Sequence, residues 1–265
     1  MKYRPEKIIL PLKVNWKLSR NETLVKENFI VRLIFEGRSF FSEVAPNVRY
    51  NETSKKIEKE FALFSLEKLD LKLLQQKLGC ISCPSLRFAL ESVSLKALAY
   101  KKHQSLSELL ELNKLDHVGV ETSMSMPILP SLEVENYLLP LKRFQRVKVK
   151  VNKKYAFNIL QKVSEIGMKK VIVDANESWL SLDEYLGFEK NILNLDFEEV
   201  LIEQPFPSFM SEEYKILKGQ TRFKIIGDES ILSEVNFHEI QQQFRVINIK
   251  LMKAGSLFKA KELIE

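Results

Sequence analysis

Apolar and polar residues alternate through the first forty-odd positions of the chain. A period of two marks strands that bury one face, so residues 8–16 and 29–35 read as strands. Glu36-Gly37-Arg38 follows, and then Ser39-Phe40-Phe41-Ser42-Glu43-Val44. Two β-prone runs around a short glycine-containing link predict a hairpin, and with it a small antiparallel sheet.

After Pro46 the spacing lengthens to that of helices. Thr53 or Ser54 can cap a segment in which Ile57, Phe61, Ala62 and Phe64 recur at roughly helical intervals. Residues 66–76 form a second predicted helix. Residues 85–100, with Leu86, Leu90, Val93 and Ala97 three and four apart, form a third. A short amphipathic segment at 105–112 precedes a stretch rich in Ser, Met and Pro up to Pro130, which reads as a loop.

From Val134 short β-prone runs at 134–139, 147–151, 171–173, 200–202, 223–226 and 246–249 alternate with helical segments such as 155–166. A repeat of about 22 to 29 residues is the pattern of βαβ units in an α/β fold with a parallel sheet. The expected organisation is an α+β domain over residues 1–100, a linker with a short helix over 101–130, and a (β/α) domain over 131–265.

Composition narrows the class. The chain has 265 residues, 45% hydrophobic, with 17 Phe and a net charge of +6. Such a chain can build a core and is not disordered, and no apolar run approaches the ~20 residues of a membrane span. Met1-Lys2-Tyr3-Arg4-Pro5-Glu6 lacks the apolar stretch of a secretory signal, so a cytoplasmic location is expected. The pI near 9.1 would suit nucleic acid, but Lys and Glu are interspersed rather than blocked. Neither a nucleic-acid nor a membrane partner is expected. Cys80 and Cys83 form one CxxC in a chain with three His, too few ligands for a structural zinc, and read as ordinary thiols.

Chemistry enters at the predicted strand ends. Lys150, Asp174, Glu203, Asp228 and Lys250 close the second to sixth runs, one per βα unit. In a closed barrel those ends share one mouth, where barrel enzymes keep their active sites. Three carboxylates there repel one another unless a cation neutralises them, and three oxygen ligands plus waters suit octahedral Mg2+. Lys148 and Lys150, two apart, share one face of their strand while the valines between them pack on the other. Two close, partly desolvated ammonium groups are expected to lower each other's pKa, so that a lysine can act as a base near neutral pH.

Each piece alone has an ordinary reading. Val147 to Val151 could be a half-exposed strand, Asp174-Ala175-Asn176 a turn, and Asp228-Glu229-Ser230 a helix N-cap. Lys250 between Ile249 and Leu251 is harder to dismiss, because a lysine within an apolar strand is costly unless paired. All five in succession favour the catalytic reading.

In this order, Lys148-Val149-Lys150, Asp174-Ala175-Asn176, Glu203-Gln204-Pro205, Asp228-Glu229-Ser230 and the run from Asn248 through Lys250 to Gly255 resemble the enolase superfamily, in its muconate-lactonising-enzyme-like branch. Trp16-Lys17-Leu18-Ser19-Arg20, the run from Phe40 to Pro46, and Arg87-Phe88-Ala89-Leu90-Glu91 are similar to that branch's capping domain. The resemblance implies a TIM-type (β/α) barrel preceded by an α+β capping domain. It also implies a first step in which a proton alpha to a carboxylate is removed and the enediolate is held on Mg2+.

On this resemblance Asp174, Glu203 and Asp228 are the metal ligands and Lys150 is the base. Lys250 is the opposite-face cation and Lys148 tunes Lys150. Asn176, Glu229 and Arg20 enter as substrate-binding or supporting residues, and the polar loop at 15–26 as a candidate lid. The capping domain's Leu10-Pro11-Leu12-Lys13 strand, its Trp16 to Arg20 loop and its Arg87 to Glu91 helix most resemble the o-succinylbenzoate synthase family. That implies a Mg2+-dependent lyase of menaquinone biosynthesis, dehydrating a succinyl-hydroxycyclohexadiene carboxylate. Dipeptide epimerases and N-succinylamino-acid racemases of the same branch use both lysines as acid and base, and the lysine pair does not separate them from the lyase. A non-catalytic barrel that binds a small carboxylate is the alternative of another class.

An eight-stranded barrel takes about 250 residues, and at about 25 per βα unit the region from Val134 accounts for six strands. The barrel's C-terminal part is therefore incomplete here, and two further units are expected beyond residue 265, since open sheet edges are avoided. Gly255-Ser256 stands where the family commonly shows Gly-Gly.

Overall fold

The computed structural model describes residues 1–17, 22–112, 120–232, 234 and 236–264. Arg20 lies outside the described residues, and the candidate lid at 15–26 is strand rather than loop at both of its described ends, in Lys2–Lys17 and Glu22–Phe35. The chain divides into two compact units. One comprises Met1–Leu12, Val25–His117 and Ile249–Glu265, the other Lys13–Leu24 and Val118–Asn248.

The first unit contains most of a three-stranded sheet, in the order β1 (Lys2–Lys17), β2 (Glu22–Phe35), β3 (Arg38–Val44). β2 and β3 pair antiparallel from Phe35↔Arg38 to Phe29↔Val44. Glu36 (φ 48°) and Gly37 (φ 74°) form the two-residue link, both left-handed, as a tight hairpin turn with the twist of its strands requires. Alternate β2 residues Phe29, Val31 and Leu33 are buried in one core with Leu86, Leu90 and Val93 of the helix Pro84–Lys101.

Helix Ser54–Leu63 starts where the sequence places it, Thr53 Oγ1 accepting from Lys56 N at 3.2 Å. The second helix runs Leu71–Leu78 rather than from residue 66, because Asp70 Oδ1 accepts from Leu73 N at 2.9 Å and fixes the start there. The short segment after Ser105 is helical only over Leu106–Leu109, entered through a capping box between Ser105 and Glu108. Glu60 holds the loop between two helices, accepting from Ser82 Oγ (2.5 Å), Ser82 N (2.9 Å) and Cys83 N (3.0 Å). Cys80 is exposed and Cys83 buried, both as free thiols.

The segment Ile249–Glu265 completes this unit. Helix Leu251–Ala254 ends at Gly255 (φ 72°), and helix Leu257–Ile264 follows. Ser256 donates to Glu91 Oε1 at 2.7 Å while its hydroxyl accepts from Phe258 N and Lys259 N. Serine in place of a second glycine is thus the cap of the following helix.

The second unit is a parallel sheet of six strands in sequential order, with helices between successive strands. They are β4 (Ser123–Met126), β5 (Arg146–Lys150), β6 (Lys170–Asp174), β7 (Glu199–Glu203), β8 (Lys224–Gly227) and β9 (Val246–Ile247). This is the strand order of a TIM-type barrel. Val149, Val173, Ile202 and Ile225 are neighbours in register and buried on the outward face.

Three expectations are corrected. The run at 134–139 lies in a helix, Ser131–Leu138, with Val134 and Leu138 buried one turn apart. The first strand of the sheet is instead Ser123–Met126, inside the stretch read as loop, where serines alternate with methionines and mask the β pattern. The last run forms a strand only over Val246–Ile247. After it the backbone turns into helix, Lys253 N and Ala254 N both donating to Lys250 O at 2.9 Å. Among the described residues no helix is long and apolar enough to cross a membrane.

Candidate active site

Parallel register sets the site. Lys150, Asp174 and Glu203, the last residues of β5, β6 and β7, are direct partners across the three strands. Asp228 follows Gly227, the last residue of β8. The period of two puts Lys148 and Lys150 on one face of β5 while Val147 and Val149 point into the core behind it.

The ammonium of Lys148 stands between two carboxylates, 3.0 Å from Asp174 Oδ2 and 2.7 Å from Glu203 Oε2. Lys150 Nζ donates to Asp174 Oδ2 at 2.5 Å and approaches Asn176 Oδ1 at 3.4 Å. Asn176 Nδ2 in turn donates to Glu229 Oε1 at 3.3 Å, so Asn176 and Glu229 join the lysine side of the cluster. Asn248 Nδ2 donates to Glu203 Oε1 at 3.0 Å.

Asp174, Glu203 and Asp228 are all but fully buried. Burial works against the charge on Asp174, but Lys150 and Lys148 outweigh it and hold its carboxyl below the ordinary value. Burial, then the neighbouring charge of Asp174, pushes Glu203 up; Lys148 pulls it back and Asp228 adds to the rise. Lys148 is raised, not lowered: burial opposes its charge, but Asp174 and Glu203 more than compensate. The expectation that the two lysines would depress each other fails for Lys148, because it faces two carboxylates at hydrogen-bond distance.

The loops beyond the strand ends carry left-handed backbone at three non-glycine residues, Asn176 (φ 44°), Glu177 (φ 63°) and Gln204 (φ 42°). Such conformations cost about 1–3 kcal/mol each unless the surroundings impose them. Here Glu177 N donates to Gln204 O at 2.8 Å, and Ser208 N to Glu177 Oε1 at 2.9 Å. Gln204 N donates to Ile226 O at 2.9 Å, and Asn248 N to Gly227 O at 2.8 Å, so adjacent strand ends stay tied beyond the regular ladder.

Among the described residues, no three carboxylate, imidazole or thiol groups stand together as a ready metal cage. Lys148 takes the position between two of the acids. The donors nonetheless suit a hard divalent cation: they are carboxylate oxygens only, and Asp174 Oδ1 is buried without a hydrogen-bond partner.

The structure therefore brings together Lys148, Lys150, Asp174, Glu203, Asn176 and Glu229, with Asp228 near enough to act on Glu203. Lys250 is exposed, not within a strand as expected, and opens the helix Leu251–Ala254 in the first unit. Sequence reasoning assigned nothing to Gln204, Tyr214, Ser230 or the side chain of Asn248. Glutamine beside a strand-end acid carries no charge signal, and Tyr214 reads as an ordinary apolar position of its helix.

Residues 134–265 match the family model described as Enolase C-terminal domain-like. The chain is 26% identical over 241 residues to an N-acetyl-D-glutamate racemase of Pseudoalteromonas sp., spanning 87% of this chain and 72% of that one. It is likewise 26% identical over 237 residues to an L-Ala-D/L-amino acid epimerase of Pedosphaera parvula, spanning 87% and 68%. In fold it is similar to a dipeptide epimerase from Cytophaga hutchinsonii complexed with Mg and D-Ala-L-Val: TM-score 0.85, 19% identity, 99% of this chain and 74% of the other. A muconate lactonizing enzyme from Pseudomonas fluorescens gives TM-score 0.81 at 18% identity, covering 99% and 76%.

These relatives correct the expectation of a lyase of the o-succinylbenzoate synthase kind and of menaquinone biosynthesis. The curated relatives similar in sequence along most of the chain include a racemase and an epimerase, which are isomerases. The capping-domain motifs behind that expectation contain no group that distinguishes loss of water from return of a proton.

Proposed function

We propose, from the premise that the C-terminal half of this chain belongs to the enolase superfamily, that the protein is a racemase or epimerase inverting the carbon alpha to a carboxylate in an N-acylated amino acid or dipeptide. The observation that carries the reading is the lysine pair on β5 set directly against Asp174 and Glu203 at the strand ends. The racemase and epimerase activities of the relatives support isomerisation over dehydration.

Lys150, as the neutral amine, takes the alpha proton and becomes an ammonium. Inversion needs a second acid to return a proton to the opposite face, the role that the resemblance alone gives to Lys250, and the two exchange roles in the reverse direction, so no atom is lost from the substrate. Asn176, linked to both Lys150 and Glu229, holds the Lys150 amine in place. Lys148 stays charged between Asp174 and Glu203, and shares Asp174 Oδ2 with Lys150.

Asp174, Glu203 and Asp228 would hold Mg2+, which when bound supplies Lewis-acid neutralisation of the substrate carboxylate. Solved neighbours complexed with Mg, such as the Cytophaga hutchinsonii epimerase, support that assignment.

The test is incubation in D2O with a panel of N-acylamino acids and L,L-dipeptides, with Mg2+ or EDTA. NMR follows the alpha proton and chiral chromatography the product. The expected result is Mg2+-dependent exchange with inversion and without loss of water. Absence of exchange across the panel, in folded protein shown to bind the metal, would refute the assignment.

A further inference from the structure

Gln204 is engaged through both ends of its side-chain amide, and nothing in the proposed reaction uses it. It is fully buried and directly follows Glu203. Its Oε1 accepts from two backbone amides of the loop after β8, Asp228 N at 2.8 Å and Ser230 N at 3.2 Å. Its Nε2 donates to Ser230 Oγ and Tyr214 Oη, both at 2.8 Å, and lies 3.3 Å from Phe206 O.

The far end is anchored as well. Tyr214, on the helix Ser211–Gln220, donates to Phe206 O at 2.5 Å and accepts from Phe206 N at 3.0 Å. Its ring packs edge-on against Phe206 and at 4.7 Å from Phe244. The amide cannot be reversed without setting its NH2 against two backbone N–H groups, so its orientation is fixed. One side chain thus bridges the end of β7 to the backbone that carries Asp228.

We infer that Gln204 is a positioning residue that sets the place of Asp228 relative to Glu203, and through it the divalent-cation affinity of the site. The inference rests on the metal assignment made above. Gln204 touches neither substrate nor metal. It acts through its Oε1, which accepts from the Asp228 and Ser230 amides together, and its left-handed backbone (φ 42°) aims the side chain across to that loop.

The experiment uses the full chain. Mn2+ binding is measured by titration calorimetry, and amide exchange is followed by mass spectrometry, for the wild type and for Gln204→Met, which keeps the shape and removes both functions of the amide. The expected result is Mn2+ affinity weaker by about 10- to 100-fold in the variant, the range for loss of a group that orients a ligand. Exchange should accelerate at Asp228 and Ser230 while the amides of β5 and β6 are unaltered, a pattern that general loss of stability does not produce. Unchanged affinity together with unchanged exchange at those two amides overturns the inference.

Should Gln204→Met not fold, Tyr214→Phe keeps the ring and removes the hydroxyl that orients the amide. It should show the same local acceleration with affinity down roughly threefold or more, and its absence overturns the inference equally. A wild type that binds no Mn2+ overturns the metal assignment and this inference with it, whereas binding that survives both variants overturns this inference alone.

Discussion

Lys150 and Asp174 are register partners across β5 and β6, and the ammonium of the first lies 2.5 Å from Oδ2 of the second. Pairing at the last residue of each strand makes the contact a property of sheet geometry rather than of a mobile loop. Lys150→Met is expected to lower alpha-proton exchange by about 100-fold or more, the usual contribution of a positioned general base. Circular dichroism of the variant should match the wild type. Retention of full exchange would remove Lys150 from the reaction.

Lys148 touches Asp174 and Glu203 together. Lys148→Met leaves two buried acids with less compensation, and a loss of about 3–5 kcal/mol is expected in EDTA, as for a buried pair stripped of one partner. Added Mg2+ should recover part of that loss, because ligation of the native state adds to its stability. Thermal melts in EDTA and in Mg2+ measure both effects; a melting temperature indifferent to the substitution would contradict the electrostatic role.

Glu60 supplies a pH-dependent tie in the first unit. Partial burial opposes its charge, but hydrogen bonds from Ser82 and Cys83 prevail and hold its pKa below the ordinary 4.5. A carboxyl whose folded pKa is depressed contributes stability that is complete above its unfolded value and is lost as pH falls through the folded one. Denaturation midpoints between pH 6 and 3 should therefore fall less steeply in Glu60→Gln than in the wild type, with a cost near neutrality of roughly 1 kcal/mol. Identical slopes would show that the tie is immaterial.

Gly227 ends β8 immediately before Asp228, and a Cβ there would sit 2.9 Å from the ring of Phe244. Gly227→Ala must displace a buried ring or the strand end, at an expected cost of about 1–3 kcal/mol for overpacking. Because the displaced backbone leads into Asp228, Mn2+ affinity should fall as well. A variant with native stability and native affinity would mean that the loop absorbs the methyl group.

Much of this architecture could be read from the chain. The lysines and valines of β5 alternate cleanly, and the strand-end acids recur with each βα unit, so Lys148, Lys150, Asp174 and Glu203 were expected together and are together. Local signals failed where context decides. The serines of Ser123–Met126 have little β preference and gain their strand from pairing with β5, while Val134 and Leu138 suit a helix as well as a strand. The raised pKa of Lys148 depends on which acids the register delivers to it, and the bridge made by Gln204 on a positive φ that no pattern encodes. Reaction type was the least legible, since one set of lysines and carboxylates serves either outcome at the alpha carbon.

Leu257 and Phe258 pack against the core that β2 and the helix Pro84–Lys101 form, and Ser256 and Leu257 supply hydrogen bonds to the buried carboxylate of Glu91. These residues are made long after the rest of that unit. At about 5–20 residues per second, the ribosome needs several seconds or more to pass from the end of the helix Leu106–Leu109 to Leu257. Until Leu257 has been made, Glu91 has neither bond and the core lacks one wall, so the N-terminal sheet and helices cannot reach their final state before then. The strands that carry the candidate site are thus made before the first unit, although begun earlier, can close.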